Sequence, residues 1–199
     1  MNSITQQLDA YSDALAPLRE AASRYLKYPS VLAKDGVMNI GHRPWVAELN
    51  YMFMLYPGIE SDALEQYSQR FRIEIPQMYA KVLAELNGAF CFGMSLCGVP
   101  RSMLGNPPLL DRTILRCHDL ATAATRWVCE YPVPMGCFHF GGRHFSSKAN
   151  VGYFIDEDIR ILCIKKNGEV VGRWTSFAEF LADELKASEE LENKLHPWR

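Results

Sequence analysis

The run from Ile159 to Ile164 constrains this chain most, because Ile159, Ile161, Leu162, Cys163 and Ile164 supply apolar side chains to both faces of a strand. Side chains alternate along a strand, so such a run reads as a central strand buried on both sides. Its neighbours agree: Cys137-Phe138-His139-Phe140 alternates and Val151 to Ile155 is mostly apolar. Lys166-Asn167-Gly168-Glu169 then holds an Asn-Gly pair, which favours a type I′ hairpin turn into Val170-Val171-Gly172-Arg173-Trp174. Ser176-Phe177-Ala178-Glu179 is a capping box, and Phe177, Phe180, Leu181 and Leu185 form one stripe of a final helix. From Lys186 onward the chain is acidic and polar and is expected to fray.

Upstream the period changes to that of helices. Ile4, Leu8, Tyr11, Leu15, Leu18, Ala22 and Tyr25 recur in steps of 4 and 3, with Pro17 expected to kink or split the helix. The stripe suits packing on a core, or a dimer seam, since the spacing follows a heptad. Residues 28–43 read as loop, and a second helix is expected from Pro44, burying Trp45, Leu49, Met52 and Tyr56 before Pro57-Gly58. A third helix carries Leu64, Tyr67 and Phe71. A fourth opens at Pro76 with Tyr79, Val82, Leu83 and Leu86, and Asn87-Gly88 is expected to stop it in the left-handed conformation. Phe90 and Phe92 alternate as a strand. Residues 98–118 are irregular, and Asp119 is the expected cap of a helix burying Leu120, Ala124, Trp127 and Val128 and closed by Pro132 and Pro134.

With 199 residues, 48% of them hydrophobic, one domain has enough apolar material for its own core. Charged residues make up 22% and the net charge is −2, so neither disorder nor a nucleic-acid or anionic-membrane surface is indicated. The longest apolar run, Tyr51 to Tyr56, is too short to span a membrane. Met1 to Leu15 is polar, with Asp9 and Asp13, and does not read as a secretory signal. Cys91, Cys97, Cys117, Cys129, Cys137 and Cys163 sit in apolar company and read as reduced core thiols of a cytoplasmic protein.

Two segments together are similar to a known pattern. Ile75-Pro76-Gln77-Met78-Tyr79 followed by Leu86-Asn87-Gly88 resembles the leucine-proline, tyrosine, asparagine-glycine motif of the SUKH superfamily, named partly after a yeast regulator of cell-wall synthesis. Its second signature, a hairpin ending in an aromatic residue and then a short helix, resembles Gly168 to Trp174 followed by Ser176, Phe177, Glu179, Phe180 and Leu181. The resemblance spans roughly residues 60–188. It implies a mixed, largely antiparallel sheet packed against helices, and a role as an immunity protein that neutralises a toxin domain of a bacterial polymorphic toxin system. The expected organisation is one α+β domain: residues 1–57 a helical extension, 58–188 the SUKH-like core and 189–199 a polar tail.

Chemistry-bearing residues are sparse. Cys137-x-His139-x4-His144, with Cys117-His118 elsewhere, lacks the paired-cysteine spacing of a closed zinc site. Cys91 or Cys137 with His139 or His144 could form a nucleophile and base, but a reactive thiol needs an electropositive, partly exposed setting. Gly141-Gly142-Arg143 lacks the lysine of a phosphate loop. Asp156-Glu157-Asp158 reads as a solvated turn or as an acidic contact for a basic toxin. The expectation is therefore a non-enzymatic binding domain without cofactor or metal. It engages a protein partner, not nucleic acid or membrane, through Asp156, Glu157 and Asp158, and is a monomer or weak dimer. The alternatives are a small enzyme or metal protein using Cys137, His139 and His144, and a regulatory scaffold without a toxin partner.

Overall fold

The computed structural model describes residues 3–100, 117–130, 132, 135–144 and 150–197. Its strands are β1 (Val31–Leu32), β2 (Met38–His42), β3 (Tyr51–Pro57), β4 (Leu86–Cys91), β5 (Met94–Leu96), β6 (Phe138–Arg143), β7 (Val151–Ile155), β8 (Ile161–Lys165) and β9 (Val170–Trp174). Among the described residues they form one sheet in chain order, each antiparallel to the next. The expected mixed sheet is thus antiparallel throughout, with a lone parallel bridge between Gly98 and Asp119. Successive strands lie side by side, so each reverses its predecessor.

The helices are α1 (Ile4–Asp9), α2 (Ala16–Arg24), α3 (Ser61–Phe71), α4 (Gln77–Glu85), α5 (Leu120–Glu130) and α6 (Phe177–Leu195), with a 3₁₀ turn at Asp13–Leu15. The fold is α+β, as expected. Strand β8 is buried on both faces as expected, but it starts at Ile161, and Ile159 lies in the preceding turn, 58% exposed. Ile161 and Cys163 join the main core, while Leu162 and Ile164 pack with Phe154 on the reverse face. Phe180 lies at the centre of an aromatic cluster, with ring centroids 4.9 Å from Tyr153, 5.4 Å from Trp174 and Phe177, and 5.5 Å from Phe140.

The N-terminal stripe packs inward. Pro17 falls in the first turn of α2, where its missing N–H costs nothing. Leu8, Leu15, Leu18 and Ala22 are buried in the main core, so the stripe packs on the chain's own sheet and helices.

Four expectations are corrected. The helix expected from Pro44 does not form: residues 51–57 are β3, and Trp45 and Leu49 are 37% and 43% exposed. A short apolar run buried on both faces has no period to separate strand from helix, and here Phe53 and Leu55 face the main core while Tyr56 packs behind. The proposed helical extension is therefore helical only to Arg24, and residues 31–57 supply three strands.

Asn87-Gly88 does not stop α4. The helix passes into β4 through an extended Leu86, and Asn87 works as a clamp: its Oδ1 accepts from Val99 N at 2.7 Å and its Nδ2 donates to Val99 O at 2.9 Å. Its side-chain amide thus stands in for a strand partner. Gly88, at φ +89°, lies so close to Leu96 O that a Cβ would sit 2.9 Å away.

The hairpin at Asn167-Gly168 is not type I′, since only Gly168 has positive φ. Gly168 N donates to Lys165 O and Lys165 N to Glu169 O, both at 2.9 Å, giving a three-residue loop whose last residue is left-handed.

The C-terminal segment does not fray, because α6 runs to Leu195. Its carboxylates are tied to the N-terminal elements. Glu189 takes Arg24 at 2.7 Å and the Tyr25 hydroxyl at 2.6 Å. Glu192 pairs with the fully buried Arg43, whose Nη1 donates to His196 O at 3.1 Å.

Candidate functional site

Beside the β7–β8 turn lies a groove of about 1330 Å³. The 3₁₀ turn, α4, the start of β6, the β7–β8 turn and the start of α6 enclose it. Its floor is apolar, made by Leu15, Met78, Val82, Phe138, Ile155 and Phe177. The capping residue Ser176, which accepts from Glu179 N at 3.2 Å, fixes how α6 and Phe177 enter this floor. Pro76 begins α4 and so sets Met78 and Lys81 along the opposite wall.

The rim is acidic: Glu74, Glu85, Asp156 and Glu157 face the groove against one cation, Lys81. Glu85 is partly engaged, accepting from Ser12 N at 2.7 Å. Glu74 and Glu157 take part in no hydrogen bond or ion pair among the described residues.

The three acids expected to meet a partner divide into different roles. Asp156 is structural: its Oδ1 accepts from Arg160 N at 2.8 Å and its Oδ2 from Arg160 Nε at 2.9 Å. Burial works against its charge, but the Arg160 backbone and guanidinium hydrogen bonds win and hold the carboxyl below its usual range. Asp158 meets the same guanidinium at 2.7 Å. Glu157 has no ion-pair partner among the described residues, and its carboxylate lies over Gly136, where a Cβ would sit 2.1 Å from Oε1. Gly136 adopts φ +78° and follows Met135, which is 97% exposed. Sequence reading missed Glu74, Lys81, Met78 and Phe177 as site residues, because the fold, and not the spacing, brings them together.

The thiol and imidazole groups are held by burial and by backbone contacts. Cys91 is fully buried and desolvation pushes its thiol far up. Cys117 is pushed up to about 12 by burial, and then by Asp119. Cys137 lines the groove, yet burial first, and Asp156 and Glu157 next, raise its pKa, the opposite of activation. His139 is buried, with Nδ1 2.9 Å from Ala123 O and Nε2 2.6 Å from Gly141 O. Desolvation lowers its pKa against these two contacts, and His144 lowers it further. Among the described residues no three His, Cys, Asp or Glu side chains converge on a metal-sized space. No described helix is long and apolar enough to cross a membrane. Most of the irregular stretch 98–118, with Pro107-Pro108, Pro134 and the side chains of Trp127, Val128 and Cys129, falls outside the described residues.

Compared by sequence, the chain matches no protein-family model and no curated protein.

Proposed function

We propose that this chain is a non-catalytic protein-binding domain, acting in the cytoplasm as an immunity protein that neutralises a bacterial toxin domain. The observation that carries the reading is the groove: an open apolar floor bordered by the carboxylates of Glu74 and Glu157, which have no ion-pair partner among the described residues. Small-molecule sites occupy about 300–1,000 Å³ and converge a few polar groups on one point. This groove is larger and its charges lie at the edge, the arrangement by which macromolecular partners are steered and then anchored. The resemblance of Ile75–Tyr79, Leu86–Gly88 and Gly168–Leu181 to SUKH motifs supports a toxin as that partner. The raised Cys137 thiol, and the His139 ring whose two nitrogens both face backbone carbonyls, give the enzyme and metal readings no comparable support.

Co-expression with candidate toxin domains, starting from any encoded beside its gene, tests the proposal. An immunity protein restores growth against one of them and binds that domain directly. A regulatory scaffold binds other proteins and leaves the cells unprotected, and that result would remove the immunity reading.

A further inference from the structure

Three residues other than glycine adopt positive φ among the described residues: Arg72, Phe92 and Ile159. Arg72 closes α3 as a left-handed cap. Phe92 is repaid by packing, its ring centred 5.0 Å from Phe53 and 5.6 Å from Tyr25. Ile159 has neither excuse. It is β-branched, for which φ of +62° is a genuine outlier, and it is 58% exposed on the wall of the groove. The backbone bonds of its turn are those of the Gly168 turn: Ile159 N donates to Asp156 O and Asp156 N to Arg160 O, both at 3.0 Å. Glycine would serve that backbone better, so the isoleucine is explained by what its side chain meets outside the fold.

We infer that Ile159 is the apolar anchor of the groove. Its occupant is a segment of a protein partner that carries large apolar side chains flanked by lysine or arginine. The inference rests on the protein-binding reading above and adds the chemistry of the bound segment. Glu74, Glu85 and Glu157 outnumber Lys81 at the rim and select a basic segment, and Met78, Phe138 and Phe177 offer its apolar side chains a floor next to Ile159. Met135, beside Gly136 and the Glu157 carboxylate, extends the apolar surface at the same rim.

The test uses the full chain and a defined probe, a short synthetic peptide of leucines and lysines in amphipathic order, with a glutamate-for-lysine counterpart. Amide shift mapping should place the lysine peptide at Gly136, Ile159 and Phe177, and the glutamate peptide should leave these amides unmoved. Ile159→Gly and Ile159→Asn both relieve the left-handed strain, so each should raise the urea midpoint while weakening the lysine peptide about tenfold. Asparagine tolerates this conformation without the added unfolded-state freedom of glycine, which separates strain from chain entropy. Unchanged peptide affinity in both variants, a lowered midpoint in both, or wild-type shifts lying elsewhere would overturn the inference. Growth protection with no peptide at the groove would overturn it while sparing the immunity reading, and the reverse pair of results would do the opposite.

Discussion

Ile159 and Gly168 hold the same position in consecutive hairpins of one sheet, at φ +62° and +84°. A side chain with a Cβ pays about 1–2 kcal/mol for that conformation. The sheet accommodates it in the turn that borders the groove and avoids it in the turn that does not. Strain and exposure coincide where a partner is proposed to dock.

The core prediction concerns Phe180, which is fully buried among four aromatic rings. Phe180→Ala should cost about 3–5 kcal/mol through the cavity it leaves. Urea unfolding measures this, and a negligible shift of the midpoint would contradict the placement of α6.

The second prediction concerns the Arg43–Glu192 pair. Glu192→Ala leaves a fully buried guanidinium without its carboxylate, and should cost about 3–5 kcal/mol. The double change Arg43→Met with Glu192→Leu removes both charges and should cost clearly less than the single one. Equal losses would mean that packing, and not the lost ion pair, dominates.

Much of the fold was legible in the sequence, and its failures share a cause. Helices α3, α4 and α6 announce themselves by one apolar face against one polar face, β7 and β8 by doubly apolar runs, and β9 by the turn before it. The segment 51–57 was opaque because burial on both faces erases periodicity. Asn87-Gly88 and the acidic end of α6 misled because local propensity was overruled by distant partners, Val99 for one and Arg24, Tyr25 and Arg43 for the other. Of the site, the acidic turn was legible. The division of its acids was not, since it depends on Arg160 folding back onto Asp156.

The third prediction is pH dependence. His118, His139 and His144 all have pKa values lowered by burial. The unfolded chain therefore takes up protons first on acidification. The stability these groups contribute is present above the ordinary histidine value and is lost as pH falls through it. The urea midpoint should drop between about pH 7.5 and about pH 5.5, and His139→Gln should flatten that slope. An unchanged slope in the variant would remove His139 from the effect.

The fourth prediction separates the acids. Glu74→Lys with Glu157→Lys should leave the urea midpoint nearly unchanged, slow association with a toxin domain and weaken its salt dependence, as loss of steering requires. Asp156→Ala should instead lower the midpoint, since it releases the Arg160 backbone and guanidinium. Stopped-flow association at two salt concentrations, beside urea unfolding, distinguishes steering from support.

The most direct measurement of the central claim is hydrogen exchange on the full chain, alone and saturated with the proposed partner, a toxin domain against which it protects cells. A protein partner seated in the groove should slow exchange at Gly136, in the Asp156–Arg160 turn and at the start of α6, leaving β1 and β2 unaffected. Tight binding with protection confined to other surfaces would contradict the groove as the docking site, and no binding would contradict the immunity function itself.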